Sequence, residues 1–168
     1  GSTRIGQQMI RDAADTMKKV SMELGGNAPL IIFDDANLEA ALDAAVATKF
    51  GNCGQVCVTA DRIYVHEGLH DAFVSGFVAR ANAMVLGDGL DPAVQMGPLI
   101  NAGRLDEIKS IVNDAIASGA TCVAGGAVPD GAWASGPKDA AGGRIDRAGD
   151  IALEHDARPL AARFGDRD

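Results

Sequence analysis

The feature that most constrains the fold is an alternation of helical periodicity with short apolar runs along residues 1–126. Apolar residues recur at three- and four-residue intervals in four segments, which predicts four amphipathic helices. Three short apolar or alternating runs between them are predicted strands. Because strands separated by helices of a dozen or more residues pair in parallel, the pattern predicts an α/β fold with helices flanking the strands. The helices are expected at residues 2–17, 38–46, 69–85 and 105–116, and the strands at residues 29–33, 62–66 and 121–124.

Polar caps and glycines mark the ends of these elements. Asn37 is a predicted N-cap of the second helix, because its side chain can accept a hydrogen bond from an amide of the first turn. Gly51 and Gly54 interrupt the periodicity that follows it. Gly119 is a predicted C-cap of the last helix. The stretch GDGLDP between the third and fourth helices predicts a turn or loop.

The last 42 residues differ in composition from the rest of the chain. They hold 14 charged side chains, against 24 in the first 126 residues, and are rich in Ala, Gly, Asp and Arg. Such a segment buries little apolar surface to offset the entropy of ordering it, and a candidate helix at residues 150–162 has only a thin apolar face. We therefore expect residues 127–168 to form a poorly ordered tail. Translation in a shifted reading frame is one hypothesis for its origin.

Composition excludes several classes of function. A net charge of −8 and an aromatic content of 4% are unsuited to nucleic acid, which needs a basic face. No apolar run approaches the roughly 20 residues of a membrane span. The three cysteines form no C-x-x-C pair, which argues against a disulfide framework and a zinc site. With no visible signal peptide, these features predict a reduced, cytoplasmic protein.

Cys57 is the first candidate for chemistry. It ends the stretch FGNCGQVC, between a predicted helix and a predicted strand. The preceding glycines allow close backbone approach to a ligand and leave amide N–H groups free to stabilise a negative oxygen beside the sulfur. The alternative is that the thiol is a small buried apolar group, which is what we expect of Cys53 and Cys122.

Glu23 is the second candidate, in the stretch SMELGGNAP. A carboxylate between apolar neighbours and two glycines is expected to be partly desolvated, which suits a general base. The alternative is an exposed glutamate at the end of a strand. His66 and His70 are interpreted as surface residues, and the opening GSTRIG places glycines and hydroxyls at a helix N-terminus, where phosphate binds readily.

Together, three segments carry more information than any one of them alone. GSTRIG, MELGGNAP and FGNCGQVCVTADRIYVH, in that order and at these separations, resemble the aldehyde dehydrogenase superfamily. The second matches the family's glutamate motif, and the third matches its cysteine motif, F-x-N-x-G-Q-x-C followed by a strand with Arg. The later stretch LGDGLDPAVQMGPLIN is also similar. The resemblance covers residues 1–126, and nothing after Gly126 can be aligned.

The resemblance implies a role for each candidate. Cys57 would be the nucleophile that forms a thioester from an aldehyde, and its backbone N–H would form half of an oxyanion hole. Glu23 would be the base that activates the water that hydrolyses the thioester. The cofactor would be NAD or NADP.

The cofactor contacts that the resemblance implies are Gly1, Ser2 and Gly6, facing the pyrophosphate, and Leu24, near the nicotinamide. Residues 1–24 would be the end of a cofactor-binding domain and residues 25–126 a partial catalytic domain. The acidic residue that selects NAD over NADP has no counterpart here. The partner would be a small aldehyde, with no nucleic acid or membrane, and full-length family members are expected to be homo-oligomers.

Three hypotheses remain open at this point. The chain is a fragment of an NAD(P)-dependent aldehyde dehydrogenase, inactive when isolated. Alternatively, its thiol and carboxylate hydrolyse esters slowly without cofactor. In the third, the chain is not catalytic and associates with other subunits.

Overall fold

The computed structural model describes residues 1–126 and the backbone of residues 151–153. Helices and strands alternate through residues 1–126, so the predicted α/β architecture is confirmed. The helices are α1 (Thr3–Ala14), α2 (Leu38–Phe50), α3 (Glu67–Ala83) and α4 (Ala102–Ala117), and the strands are β1 (Ala28–Ile32), β2 (Ala60–Val65), β3 (Thr121–Ala124) and β4 (Ile151–Leu153). A short 3₁₀ turn, Gly51–Gly54, follows α2 directly.

β1 and β2 form a parallel two-stranded sheet, and α2 is the crossover between them. The register pairs Ile31 with Tyr64 and Ile32 with Val65, and it slips between Ala28 and Pro29. The amide of His66 extends the ladder by donating to the carbonyl of Ile32 at 2.9 Å. Parallel pairing is the arrangement predicted from the alternation of strands and helices.

The core lies between one face of this sheet and helices α2 and α3. Its centre is aromatic: the rings of Phe50 and Phe73 both stack on Phe77, with centroids 5.6 and 5.7 Å apart respectively. The buried apolar residues are Ile32, Leu42, Ala45, Phe50, Cys53, Phe73, Phe77, Met96, Leu99 and Leu105. The predicted apolar stripes of α2 and α3 therefore face this core.

The other face of the sheet is open in the part of the chain that the structure describes. Ile31 and Tyr64 are opposite each other in the register and are 58% and 48% exposed. The continuous apolar run at residues 29–33 predicted a buried strand, and this was wrong for alternate residues. A parallel sheet is normally covered on both faces, and residues 1–126 cover only one face of this sheet.

β3 is present as predicted but does not join the parallel sheet. It pairs antiparallel with β4, with Thr121 opposite Leu153 and Ala124 opposite Ile151. Residues 151–153 are thus a strand, not part of the candidate helix at residues 150–162. The rest of the expected tail, residues 127–150 and 154–168, lies outside the described residues.

The helix ends follow local chemistry. The Asn37 side chain accepts a hydrogen bond from the amide of Ala40 at 3.0 Å, which confirms the predicted N-cap. α1 was expected to reach residue 17 but ends at Ala14, because Met17 adopts a left-handed φ of 51°. Gly119, at a φ of 102°, follows α4 as predicted. No helix in the described part of the chain is both long and apolar enough to cross a bilayer.

Leu42→Ala tests the core between α2 and α3. Leu42 is 1% exposed, and its Cδ1 packs against Gly76, where an added Cβ would lie 2.7 Å away. The substitution should lower the free energy of unfolding by about 2–5 kcal/mol, because it removes buried methyl groups and leaves a cavity.

The control is Ile111→Ala in α4, where the side chain is 56% exposed. It should change the free energy of unfolding by less than about 0.5 kcal/mol. Equal effects of the two substitutions in urea unfolding curves would contradict the assignment of this core.

Candidate active site

Cys57 lies in a tight turn between the 3₁₀ turn and β2. The turn is closed by a hydrogen bond from the amide of Thr59 to the carbonyl of Val56, at 3.0 Å. The thiol is exposed, unlike that of Cys53. The backbone N–H of Cys57 has no acceptor among the described residues. The position therefore combines an accessible thiol with a backbone donor that has no acceptor in the described part of the chain.

The backbone before this turn is left-handed for three consecutive residues. Asn52, Cys53 and Gly54 have φ values of 50°, 58° and 71°. Each non-glycine residue in this region costs about 1–3 kcal/mol. The side-chain amide of Asn52 donates to the carbonyl of Gln55 at 3.2 Å, and the amide of Gln55 donates back to the Asn52 carbonyl at 3.0 Å. These bonds close the loop locally.

Two longer-range contacts fix the same loop against residues 97–100. The thiol of Cys53 donates to the carbonyl of Gly97 at 3.0 Å, and the amide of Ile100 donates to the Gln55 side-chain oxygen at 3.1 Å. Cys53 is buried, as predicted, and burial raises the pKa of its thiol. The sequence analysis assigned no role to Gln55, although this residue lies within the cysteine motif.

The loop that carries Glu23 lies against the Cys57 turn. A Cβ atom built on Gly26 would overlap the carbonyl oxygen of Cys57, so the two backbones are in direct contact. The next carbonyl, that of Asn27, accepts a hydrogen bond from Nη2 of Arg62 at 2.7 Å. Three residues span at most about 11 Å, which limits how far Glu23 can lie from Gly26.

Glu23 differs from its predicted environment in one respect. Its side chain is exposed in the described part of the chain, so the partial desolvation expected from its apolar neighbours is not found. The neighbours Met22 and Leu24 are each half-buried, but they do not cover the carboxylate. The structure thus matches the alternative, an exposed glutamate just before a strand.

The N-terminus of α1 meets this loop from the other side. The terminal amine of Gly1 donates to the carbonyl of Glu23 at 2.8 Å, and Gly6 packs so closely on Leu24 that an added Cβ would lie 2.7 Å from its Cδ1. Ser2 caps the helix by accepting from the amide of Ile5 at 3.4 Å. The residues singled out in the sequence therefore lie in adjoining segments.

The described residues form a cavity of about 300 Å³ near the segment that carries Cys57. It lies between the end of α2 and the turn at residues 56–59, which we call the cysteine turn, and its lining is largely apolar. The residues that line it are Ala47, Thr48, Gly51, Val56, Val58 and Thr59. Val56 and Val58 flank Cys57 in the sequence, but Cys57 itself is not among the lining residues, so the cavity lies beside this segment and does not contain the thiol.

The histidines do not contribute to this site. His66 is exposed and caps α3, its Nδ1 accepting from the amide of Gly68 at 3.2 Å. His70 is half-buried, not fully on the surface as predicted, with Nδ1 3.0 Å from the carboxylate of Asp71. Within the described residues, no three His, Cys, Asp or Glu side chains are grouped to hold a metal ion.

Comparison with known proteins identifies the family of the chain. Residues 1–136 match the aldehyde dehydrogenase family. The chain belongs to this family. A probable NADP(+) succinate-semialdehyde dehydrogenase of Sinorhizobium fredii is 47% identical over 126 residues, which are 75% of this chain and 26% of that protein. The chain thus spans about a quarter of the length of the curated relatives that it matches.

Solved structures of the aldehyde dehydrogenase family have the same fold over the matched part. A structure of 3,6-anhydro-L-galactose dehydrogenase in complex with NAP has a TM-score of 0.76 and 41% sequence identity, and the match covers 87% of this chain and 30% of that chain. Betaine aldehyde dehydrogenase from Staphylococcus aureus in complex with NAD+ has a TM-score of 0.74 and 37% identity, covering 78% of this chain and 26% of that chain.

Two adjacent glycines provide a matched test of the contact between the loops. Gly26→Ala should lower the free energy of unfolding by about 1–3 kcal/mol, because the new methyl group would overlap the Cys57 carbonyl. Gly25→Ala should change it by less than about 0.5 kcal/mol, because nothing lies within 4 Å of an added Cβ there. Thermal melts of the two variants measure the difference, and equal stability would contradict the contact.

Alkylation tests which thiol is accessible. Iodoacetamide should modify Cys57 first, and Cys53 at least about tenfold more slowly. The burial that raises the Cys53 pKa leaves less thiolate at neutral pH, and its thiol also donates to the Gly97 carbonyl. Peptide mapping during the reaction gives both rates.

Denatured protein is the control for this experiment, because all three cysteines should then react at similar rates. Faster labelling of Cys53 than of Cys57 in the folded chain would overturn the assignment of Cys57 as the reactive thiol.

Proposed function

We propose that this chain supplies the nucleophile and the base of an NAD(P)-dependent aldehyde dehydrogenase, which oxidises an aldehyde to a carboxylic acid. The observation that carries the proposal is the contact between Gly26 and the Cys57 carbonyl. It brings the loop of Glu23 beside Cys57, whose thiol is exposed and whose backbone N–H has no acceptor among the described residues. Family membership supports the same reaction.

In the first step, the Cys57 thiolate attacks the aldehyde carbon. A carbon–sulfur bond forms, the carbonyl π bond breaks, and the oxygen becomes negative. The free N–H of Cys57 can donate a hydrogen bond to this oxygen, which is the electrostatic stabilisation that an oxyanion requires.

The residues present fit the cofactor's pyrophosphate. α1 begins with Ser2 as N-cap and has no acidic side chain in its first turn, so its positive end suits an anion. Gly1, Ser2 and Gly6 would lie at this end, and Leu24 would lie near the nicotinamide. When bound, NAD(P)+ supplies the two-electron oxidant that converts the thiohemiacetal to a thioester.

In the last step, Glu23 would take a proton from a water molecule, which attacks the thioester carbon. The carbon–sulfur bond breaks, the carboxylic acid leaves, and the Cys57 thiolate is restored. An exposed carboxylate can exchange this proton with solvent. General-base catalysis of this kind contributes about 10²–10⁴-fold to a rate.

Further proposals concern the substrate, the cellular location, the oligomeric state and the partners. The names of several relatives favour a semialdehyde, a short aldehyde with a second polar group. We also propose that the full-length protein is cytoplasmic and homo-oligomeric, with no nucleic-acid or membrane partner. The acidic charge balance supports the first of these exclusions.

A second activity follows from the same geometry without cofactor. The exposed thiol, its free N–H and the neighbouring carboxylate are what slow hydrolysis of an activated ester requires. The thiolate would attack p-nitrophenyl acetate, release p-nitrophenolate and form an acetyl thioester. Water activated by Glu23 would then release acetate.

This ester reaction tests the proposed roles in the chain itself. Cys57→Ala should abolish acetylation of the cysteine turn. Glu23→Gln should still be acetylated but should lose the acetyl group about 10²-fold more slowly, since it lacks the base. Mass spectrometry of the acetylated chain over time measures both steps.

Cys122→Ala is the matched control, because it removes a half-buried thiol outside the site and should behave as wild type. Wild-type deacetylation by Glu23→Gln would contradict the role of the carboxylate. A wild-type chain that is never acetylated would instead favour the third hypothesis, association with other subunits without catalysis.

A further inference from the structure

The β1–β2 ladder is irregular at its start. The register pairs Ala28 with Ala60 but Pro29 with Arg62, so one residue of β2 is left over between the two rungs. Such an irregularity disrupts the ladder locally. It occurs where the Glu23 loop enters β1, so the regular backbone pairing does not hold the end of that loop.

Arg62 supplies a contact at this point. Its Nη2 donates to the carbonyl of Asn27 at 2.7 Å, between residues 35 apart in the sequence. Its Nε is buried and has no partner among the described residues, which is costly for a guanidinium. The Asn27 carbonyl is thus the hydrogen-bond acceptor that orients this side chain.

The position of this bond relates it to the site. Asn27 follows Gly26, whose backbone touches the Cys57 carbonyl, and Arg62 lies five residues after Cys57 on the same turn and strand. The bond therefore ties the Glu23 loop to the segment that carries the thiol.

We infer that Arg62 is a positioning residue that holds Glu23 beside Cys57. The inference rests on the proposed function. The contacts of Glu23 and Leu24 with the start of α1 tie the loop to that helix, not to the cysteine turn. Without the Arg62 bond, the irregular start of β1 holds the loop less firmly against the cysteine turn, and Glu23 moves away from the thiol although both residues are still present.

The test detects the negative charge of Glu23 near Cys57 by comparing the rates at which two alkylating reagents of similar size modify this thiol. In both reactions the thiolate displaces iodide and a carbon–sulfur bond forms. Iodoacetate is an anion and iodoacetamide is neutral, so a nearby carboxylate slows the former selectively. At low ionic strength, where screening is weak, Glu23→Gln should reduce the preference of Cys57 for iodoacetamide about twofold.

Arg62→Met should remove this dependence. We expect Glu23→Gln to change the reagent preference about twofold in the wild-type background and by less than about 1.2-fold in the Arg62→Met background. Arg62→Lys should restore most of the effect, because an ammonium of similar reach can donate to the same carbonyl. The loss of the Arg62 charge alone would not produce this pattern, since each background provides its own reference.

Two control variants separate local from general effects. Glu67→Gln removes a carboxylate at the start of α3, one strand length of roughly 20 Å from the cysteine turn, and should leave the preference unchanged. Arg104→Met breaks only a surface pair with Glu107 and should preserve the effect of Glu23→Gln. Circular dichroism checks that each variant is folded.

The outcomes distinguish the two proposals. A twofold effect of Glu23→Gln that persists in Arg62→Met overturns the role of Arg62 and leaves the proposed function intact. No effect in the wild-type background overturns the placement of Glu23 beside Cys57, and both proposals fall with it. If Arg62→Met does not fold, Arg62→Leu, which also lacks a hydrogen-bond donor, replaces it, and full retention of the effect there overturns the inference.

Discussion

The loops before β1 and β2 lie together because these two strands pair in parallel. Parallel strands begin at the same edge of a sheet, so the segment that enters β1 and the turn that enters β2 are neighbours. The crossover through α2 returns the chain to that edge. The contact between Gly26 and Cys57 is a consequence of this topology, as is the opportunity for Arg62 to reach Asn27.

The segment that leads into the cysteine turn is held firmly, although Cys57 itself is exposed. The left-handed backbone at Asn52 and Cys53 is unfavourable by itself, and the contacts to Gly97 and Ile100 stabilise it. Those contacts come from a loop more than 40 residues later in the chain. A nucleophile needs this kind of support, because a small displacement of the attacking atom costs much of its reactivity.

Local signals in the sequence were sufficient for most of the fold. The periodicity of α2 and α3, the cap at Asn37 and the apolar run of β1 each depend on near neighbours, and each appears in the structure close to its predicted position. The meeting of the two loops is a consequence of the strand–helix–strand order, and that order was predicted from the sequence. Met17 was misjudged, because nothing in its side chain signals a left-handed backbone.

The site itself was only partly predictable, for a physical reason. The bonds from Arg62 to Asn27 and from Ile100 to Gln55 join residues 35 and 45 apart, and such pairs leave no periodic trace. The exposure of Glu23 depends on which segments cover it, and a window of neighbouring residues holds no such information. The alternating exposure of β1 has the same origin.

The open face of the sheet has a consequence for protein engineering. Ile31 and Tyr64 form an apolar strip that neighbouring structure would normally cover. A stand-alone version of this chain would benefit from polar side chains at both positions, which point away from the core and leave the cysteine turn unaltered. In any longer protein whose neighbouring structure covers this face, the same two changes would place polar groups inside a packed layer, so one pair of substitutions would have opposite effects on solubility and folding in the two settings.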